Sequence, residues 1–523
     1  MSTLTALARV EAFESGRAVP LATVRHVHIC DEPLVIVPLL LAGEAAAPLA
    51  ALVGTGRAEP ELLTVGQPRD RDQRFAFLAQ LAHIVVGYIE ARRGETELVE
   101  ATRNREEWER YVDAPQLIVP NGGGVEALRL FGRSSRFRSA QGPYPVDPLV
   151  PILGRYLTWF AEDRAPTAGS SACLALTDVL TEHWATGQSA FEDQHLAALL
   201  AWIIPDGILG YGLLRQGTAH DAGPASGARA ALLAEDPLLF PSAGPSTDPE
   251  FDTKVLSPLI AAQRNAEGDP AAERSAEQTV RAALLRQLEP TWALMWQGID
   301  LLRALPEAAG NGHRWTVDRG RFTDFARKLD EGSPPQPRRD AAVAAARRLA
   351  DLEAAQEAYD KQRALDDPLI LARYRVTGEA FAGTIVAVDA ERQDTSGRSP
   401  KPRPHVWLRT ADPVVLRKGT KVACPQRPGQ RPVIVAVTRE RGELGDSEYV
   451  VELELVDGMG RKAVPEEGSV PEPGEYRCYS TVLAAERFAP PPLPELDATT
   501  PWTHGGPPAA YATTISDHDE EWH

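Results

Sequence analysis

The residue types in this chain that could do chemistry lie scattered along it. Asp206, after Pro205, and the distant Asp252-Thr253-Lys254 match the bare pattern of a metal-dependent nuclease. That chemistry places two acids on a magnesium ion and a lysine beside the attacked phosphate. It requires adjacent strands, whereas both pieces read as helix or loop. His26, His28 and Cys30 alternate, so on a strand they share one face. They supply three zinc ligands without the fourth that a structural site needs. Glu192 and His195 have the Glu-x-x-His spacing of di-iron sites, with no second such pair. Ser189 and Glu192 also form a capping box, which gives Glu192 a structural task. Gln116 to Val119, followed by Asn121-Gly-Gly-Gly124, reads as strand, glycine turn and helix, a layout that cradles phosphate on backbone N–H groups. It lacks the Lys-Ser/Thr of a P-loop. Arg133, Arg136 and Arg138 follow. None of these sets completes a motif, so no catalytic residue, metal or cofactor is assigned.

The densest binding signal is basic. From Tyr374 to Gly442 there are thirteen Lys/Arg against six Asp/Glu, in a chain of 523 residues and net charge −18. Trp407, Arg409, Arg417, Lys418, Lys421, Arg427 and Arg431 are the expected contacts to a single strand of nucleic acid. The cations would meet phosphates and the indole would stack on a base. The overall negative charge disfavours wrapping by the whole surface, so contact must be local.

The elements that position these residues read as α+β and multidomain. A mixed α/β region spans 1–120, where Thr23 to Cys30 alternates like a strand, Leu34 to Leu41 is continuously apolar, and Phe75, Leu78, Leu81, Val85 and Tyr88 share a helix face. A helical platform covers 121–335, with helices predicted over Pro148 to Phe160, Ala172 to Ala185, Ser189 to Ile204, Asp252 to Asn265, Pro270 to Leu288 and Thr291 to Leu305. A stalk helix follows over 340–368. It is Ala-, Arg- and Glu-rich, with Asp340 as cap and a narrow apolar stripe of Val343, Leu349, Leu352, Tyr359 and Leu365.

Beyond Tyr374 the hydrophobic period changes to two. Phe381 to Val388, His405 to Arg409, Thr420 to Cys424, Val433 to Val437, Tyr449 to Val456 and Tyr476 to Ser480 predict a small six-stranded antiparallel β-barrel over 374–485. Residues 486–523 open Pro-rich and end acidic, around Asp517, Asp519, Glu520, Glu521 and Trp522, and predict a disordered tail. Four dispersed cysteines, no signal-type leader and no membrane-length apolar run predict a cytoplasmic protein without a membrane partner.

The helix, then Gly383-Thr-Ile-Val-Ala-Val-Asp389, His405-Val-Trp-Leu-Arg409 and Leu416-Arg-Lys-Gly-Thr-Lys-Val-Ala423, resembles the stalk-and-barrel accessory element of superfamily 1 helicases of the RNA-decay and Okazaki-fragment-processing type. No motor motif accompanies it. The resemblance implies a non-enzymatic accessory or adaptor subunit that contacts nucleic acid, or a helicase or nuclease partner protein, in a bacterial DNA repair, processing or defence complex. The alternatives are the nuclease of Asp206, Asp252 and Lys254, and a scaffold that binds protein alone.

Overall fold

The computed structural model describes residues 3–44, 47–102, 106–206, 227–236, 240, 245–266, 268–396, 400–427, 429–441, 447–460 and 464–484. The expected acidic tail, 486–523, lies outside them.

The N-terminal half is built on a five-stranded sheet in the order Glu61–Thr64, Pro48–Gly54, Leu34–Leu40, Leu117–Val119, Cys173–Ala175. The last three strands are parallel, and the first two are added antiparallel. Leu34–Leu40 is apolar throughout because both sheet faces are covered. Val35, Val37 and Leu39 meet helices Leu176–His183, Leu196–Ile203 and Pro270–Ala304. Leu34, Ile36 and Leu40 meet Arg71–Glu90, Gly122–Ser135, Leu149–Thr158 and Asn311–Asp330. The architecture is thus helix, sheet, helix, and residues on both sides of position 120 build the one sheet.

The segment Thr23 to Cys30 is not a strand. Its alternate backbone N–H groups donate to side chains: His26 to His183 Nε2 (3.1 Å), His28 to the Ser171 hydroxyl (2.9 Å) and Cys30 to Gln116 Oε1 (3.0 Å). With those donors taken, no ladder can form. Gln116, wholly buried, completes the anchor by donating to the carbonyls of His28 (2.8 Å) and Ser171 (2.7 Å).

The two helices predicted across Pro290 are one, Pro270–Ala304, with the proline inside. Trp292, Met295 and Ile299 bury the following turns against the sheet and hold it despite the lost backbone hydrogen bond. The predicted helix Ala172 to Ala185 splits, its first residues forming the edge strand Cys173–Ala175.

The stalk helix is Ala342–Asp366, and Pro368 opens a second helix, Pro368–Thr377. Asp340 does not cap the first; it pairs with Arg348. Nor does the helix stand free. Its Tyr359 is buried, donates to Glu182 (2.9 Å) and lies between the guanidinium groups of Arg314 and Arg363. Between the two helices sits Asp367, wholly buried, which accepts from the Thr23 N–H (2.7 Å) and hydroxyl (2.9 Å) and from the Leu369 N–H (2.9 Å). His26 Nε2 lies 3.3 Å from the same carboxylate. These donors hold Asp367 well below the usual carboxylate range against the opposing cost of burial.

The expected six-stranded barrel is corrected. The region forms an antiparallel sheet of five strands, in the order Val433–Arg441, Ser447–Glu454, His405–Thr410, Ala380–Asp389, Tyr476–Ser480, and no described sheet closes into a barrel. The sixth predicted run, Thr420 to Cys424, makes only isolated bridges, Lys421 to Val433, Ala423 to Ser480 and Cys424 to Arg427. Prolines explain the loss: Pro425 and Pro432 lack the N–H that a ladder needs. One face of the sheet is a core of Phe381, Ile385, Val406, Leu408, Ile434 and Tyr479 with their neighbours. Gly383 is required there, since a Cβ would stand 1.9 Å from the Arg409 carbonyl oxygen on the adjoining strand.

Candidate nucleic-acid interface

The core alternation of His405–Thr410 puts Val406 and Leu408 inside, so His405, Trp407 and Arg409 share the outer face. Register then decides their neighbours. Trp407 pairs with Ala387 on one side and Glu452 on the other, and His405 pairs with Asp389 and Glu454. His405 presents Nδ1 to Glu452 (2.6 Å) and Nε2 to Glu454 (3.2 Å). Arg409 lies between Glu440 (3.5 Å) and Glu448 (3.8 Å). This face interleaves carboxylates with Arg409, Arg403 reaches Glu454 at its end (3.9 Å), and the half-buried indole sits among them. A phosphate backbone approaching Trp407 meets Glu452 beside it.

Arg427 donates to the Gly468 carbonyl (2.6 Å), and the half-buried Arg431 takes Asp457 onto its backbone N–H (2.7 Å). Both fasten loops. Arg375 forms a two-pronged pair with Asp412, Nε to Oδ2 at 2.7 Å and Nη2 to Oδ1 at 2.9 Å, which raises its pKa.

The remaining cations are together. Arg417 and Lys418 open a tight turn in which the Thr420 N–H donates to the Arg417 carbonyl (3.1 Å). Gly419 occupies the third position at φ +88°, a conformation that favours glycine. The turn is pinned to the edge strand, Gly419 N–H to Ile434 carbonyl (2.7 Å) and Ile434 N–H to Thr420 carbonyl (3.0 Å). Arg417, Lys418 and Lys421 are exposed, and neither Arg417 nor Lys418 pairs with a carboxylate among the described residues. Of the seven expected contacts, the structure brings these three to one exposed edge. It gives the other four intramolecular or acid-flanked surroundings. Only cross-strand register, which composition does not encode, reveals the carboxylates around Trp407.

The other candidate sets do not assemble. Asp252 accepts from the Thr247 hydroxyl (2.7 Å), Lys254 pairs with Glu250 on an exposed turn, and Asp206 is exposed on another segment. His26 faces Asp367, His28 stacks on Trp315 with ring centroids 4.5 Å apart, and Cys30 packs near Tyr88 and Arg92. Burial pushes the Cys30 thiol up to about 11. No group of three or more His, Cys, Asp or Glu side chains among the described residues is placed to hold a metal ion. Ser189 and Glu192 do form the reciprocal capping box, on a short turn rather than a long helix.

The glycine turn lies at the carboxyl ends of the parallel strands, where α/β sheets take ligands. Here the Gly122 and Gly124 donors are occupied. The Gln194 side-chain oxygen accepts from Gly122 N–H (3.3 Å) and from the buried Thr177 hydroxyl (3.4 Å), while Asn121 caps Gly124 (3.1 Å). Pro245 covers Gly123 so closely that a Cβ there would stand 2.7 Å from its ring. Of the nearby arginines, Arg136 is buried, donating to the carbonyls of Gln336 (2.9 Å) and Pro337 (3.0 Å), and Arg133 pairs with Glu162.

No described helix is long and apolar enough to cross a membrane. No family model, curated protein or solved structure matches this chain.

Proposed function

We propose that the chain is a non-enzymatic accessory subunit that holds single-stranded nucleic acid at the turn from Leu416 to Lys421. The α/β body would serve as the platform for a helicase or nuclease partner. The observation that carries this reading is the exposed Arg417–Lys418 pair on a glycine turn, adjacent in sequence and without a described carboxylate partner. The self-occupied glycine turn and the separate engagements of Asp252 and Lys254 support a binding role over a catalytic one.

The test is fluorescence anisotropy of a labelled single-stranded oligonucleotide over a salt series. Two phosphate contacts contribute about 1.4 to the log–log salt slope, roughly 0.7 each. Arg417→Ala/Lys418→Ala should remove that much. Trp407→Ala should change affinity less than about threefold, because a stacking base would be drawn against Glu452; full stacking would make the loss larger. An unchanged slope in the double variant, or no binding at low salt, overturns the proposal. The second reading, a protein-only scaffold, is favoured by the acid-rich Trp407 face, which suits a basic partner surface.

A further inference from the structure

A cavity of about 400 Å³ opens beyond the last residues of the strand Glu61–Thr64. That strand runs in the same direction as Leu34–Leu40, so the cavity lies on the carboxyl edge of the N-terminal sheet, the side on which such sheets hold ligands. Its volume falls in the range of small-molecule sites.

Three helices bring polar side chains to it. Gln73 comes from the first turn of Arg71–Glu90, Gln263 and Arg264 from the last turn of Ser257–Asn265, and Glu273 and Glu277 from the start of Pro270–Ala304. Gly66 lies against two of them. A Cβ built there would stand 3.4 Å from Gln73 Oε1 and 3.5 Å from Gln263 Nε2, so amides from two helices converge on this point.

The charges are the informative part. Arg264 and Glu277 line the same cavity, yet neither makes an ion pair or hydrogen bond among the described residues, with each other or with any neighbour. One Glu273 oxygen accepts from the Gly268 N–H (2.8 Å). An unpaired cation and an unpaired anion lining one cavity are complementary to a ligand that carries both charges. The Gln73 oxygen accepts the Gln67 N–H (2.7 Å), so the Gln263 amide, which both donates and accepts, is the group that suits a polar, uncharged part of the ligand.

We propose that this cavity binds a free polar α-amino acid, its carboxylate on Arg264 and its ammonium on Glu277. The site is independent of the nucleic-acid turn.

The experiment is calorimetric titration and thermal melting of the full chain with L-glutamine, L-serine and L-threonine, each beside its decarboxylated amine and its deaminated acid. At least one amino acid should bind saturably and raise the melting temperature, as a ligand of the folded state must. Each of its single-charge analogues should bind about tenfold more weakly or worse, the cost of one charge-assisted contact. Glu277→Gln and Arg264→Gln should each weaken binding to a similar degree. Both side chains belong to exposed residues, so the unliganded melting temperature should stay unchanged. Gly66→Leu, which fills the cavity, should abolish binding. Failure of all three amino acids to bind, equal binding of the single-charge analogues, or indifference to both charge variants overturns the assignment.

Discussion

Lowering the pH from 7.5 to 5 should destabilise this protein steeply, and the buried His183 is one of two equal sources. Its Nδ1 donates to the Val179 carbonyl (2.7 Å), and its Nε2 must stay unprotonated to accept the His26 N–H (3.1 Å). Burial adds to that constraint and lowers its pKa from 6.5 to about 4. His195 is lowered to about 4 as well, again by burial, and its Nδ1 accepts the Ala198 N–H (3.3 Å) at the start of Leu196–Ile203. For a histidine with a depressed folded pKa, the unfolded chain binds the proton first. The stability is complete above the unfolded value near 6.5 and is lost as pH falls toward about 4. At pH 5 each site should have forfeited about 2 kcal/mol, so the two together about 4, out of a total of order 5 to 15. Urea unfolding followed by tryptophan fluorescence at half-unit pH steps measures this. His183→Gln keeps an acceptor for the His26 N–H but does not titrate, and should remove about half of the pH-dependent loss. A stability that is flat from pH 7.5 to 5, or a variant with the wild-type slope, refutes the reasoning.

Gly383→Ala should cost about 3 kcal/mol or more, because the added methyl has nowhere to go against the Arg409 carbonyl; hydrogen exchange should show the loss in the C-terminal sheet. Arg136→Met should cost about 2 to 4 kcal/mol in denaturant unfolding, since the carbonyls of Gln336 and Pro337 lose their donor in a buried setting. Asn121→Ala should cost about 1 kcal/mol through the lost cap on Gly124, visible as a shifted urea midpoint.

What the sequence discloses here is local periodicity. The helix Arg71–Glu90 and the strand His405–Thr410 are legible because each buries one periodic face, whereas Ala342–Asp366 is legible from its helix-forming composition, since of its expected apolar stripe Tyr359 alone is buried and Leu349 is exposed. Cys173–Ala175 is not: three residues are too few to show alternation, and the apolar positions after them continue at helical spacing. Thr23 to Cys30 alternates like a strand, but Gln116, Ser171 and His183, remote in the chain, take its donors. Thr420 to Cys424 shows what composition hides, since its β-branched residues suggest a strand that its flanking prolines then deny to the ladder. The binding residues divide in the same way. The glycine turn carrying Arg417 and Lys418 can be recognised from four consecutive letters, whereas Glu440, Glu448 and Glu452 reach the Trp407 face only through cross-strand register.

The buried Asp367 joint has a consequence for synthesis. Thr23 and its acceptor are 344 positions apart. At ordinary translation rates of 5 to 20 residues per second, the N-terminal segment emerges on the order of 20 to 70 s before the carboxylate that will anchor it. During that interval Thr23 and His26 wait beside a sheet whose first strands are already made, and only the arrival of the second helix after the stalk completes their bonds. The N-terminal segment of this chain therefore becomes native only after the α/β body and the stalk have been made.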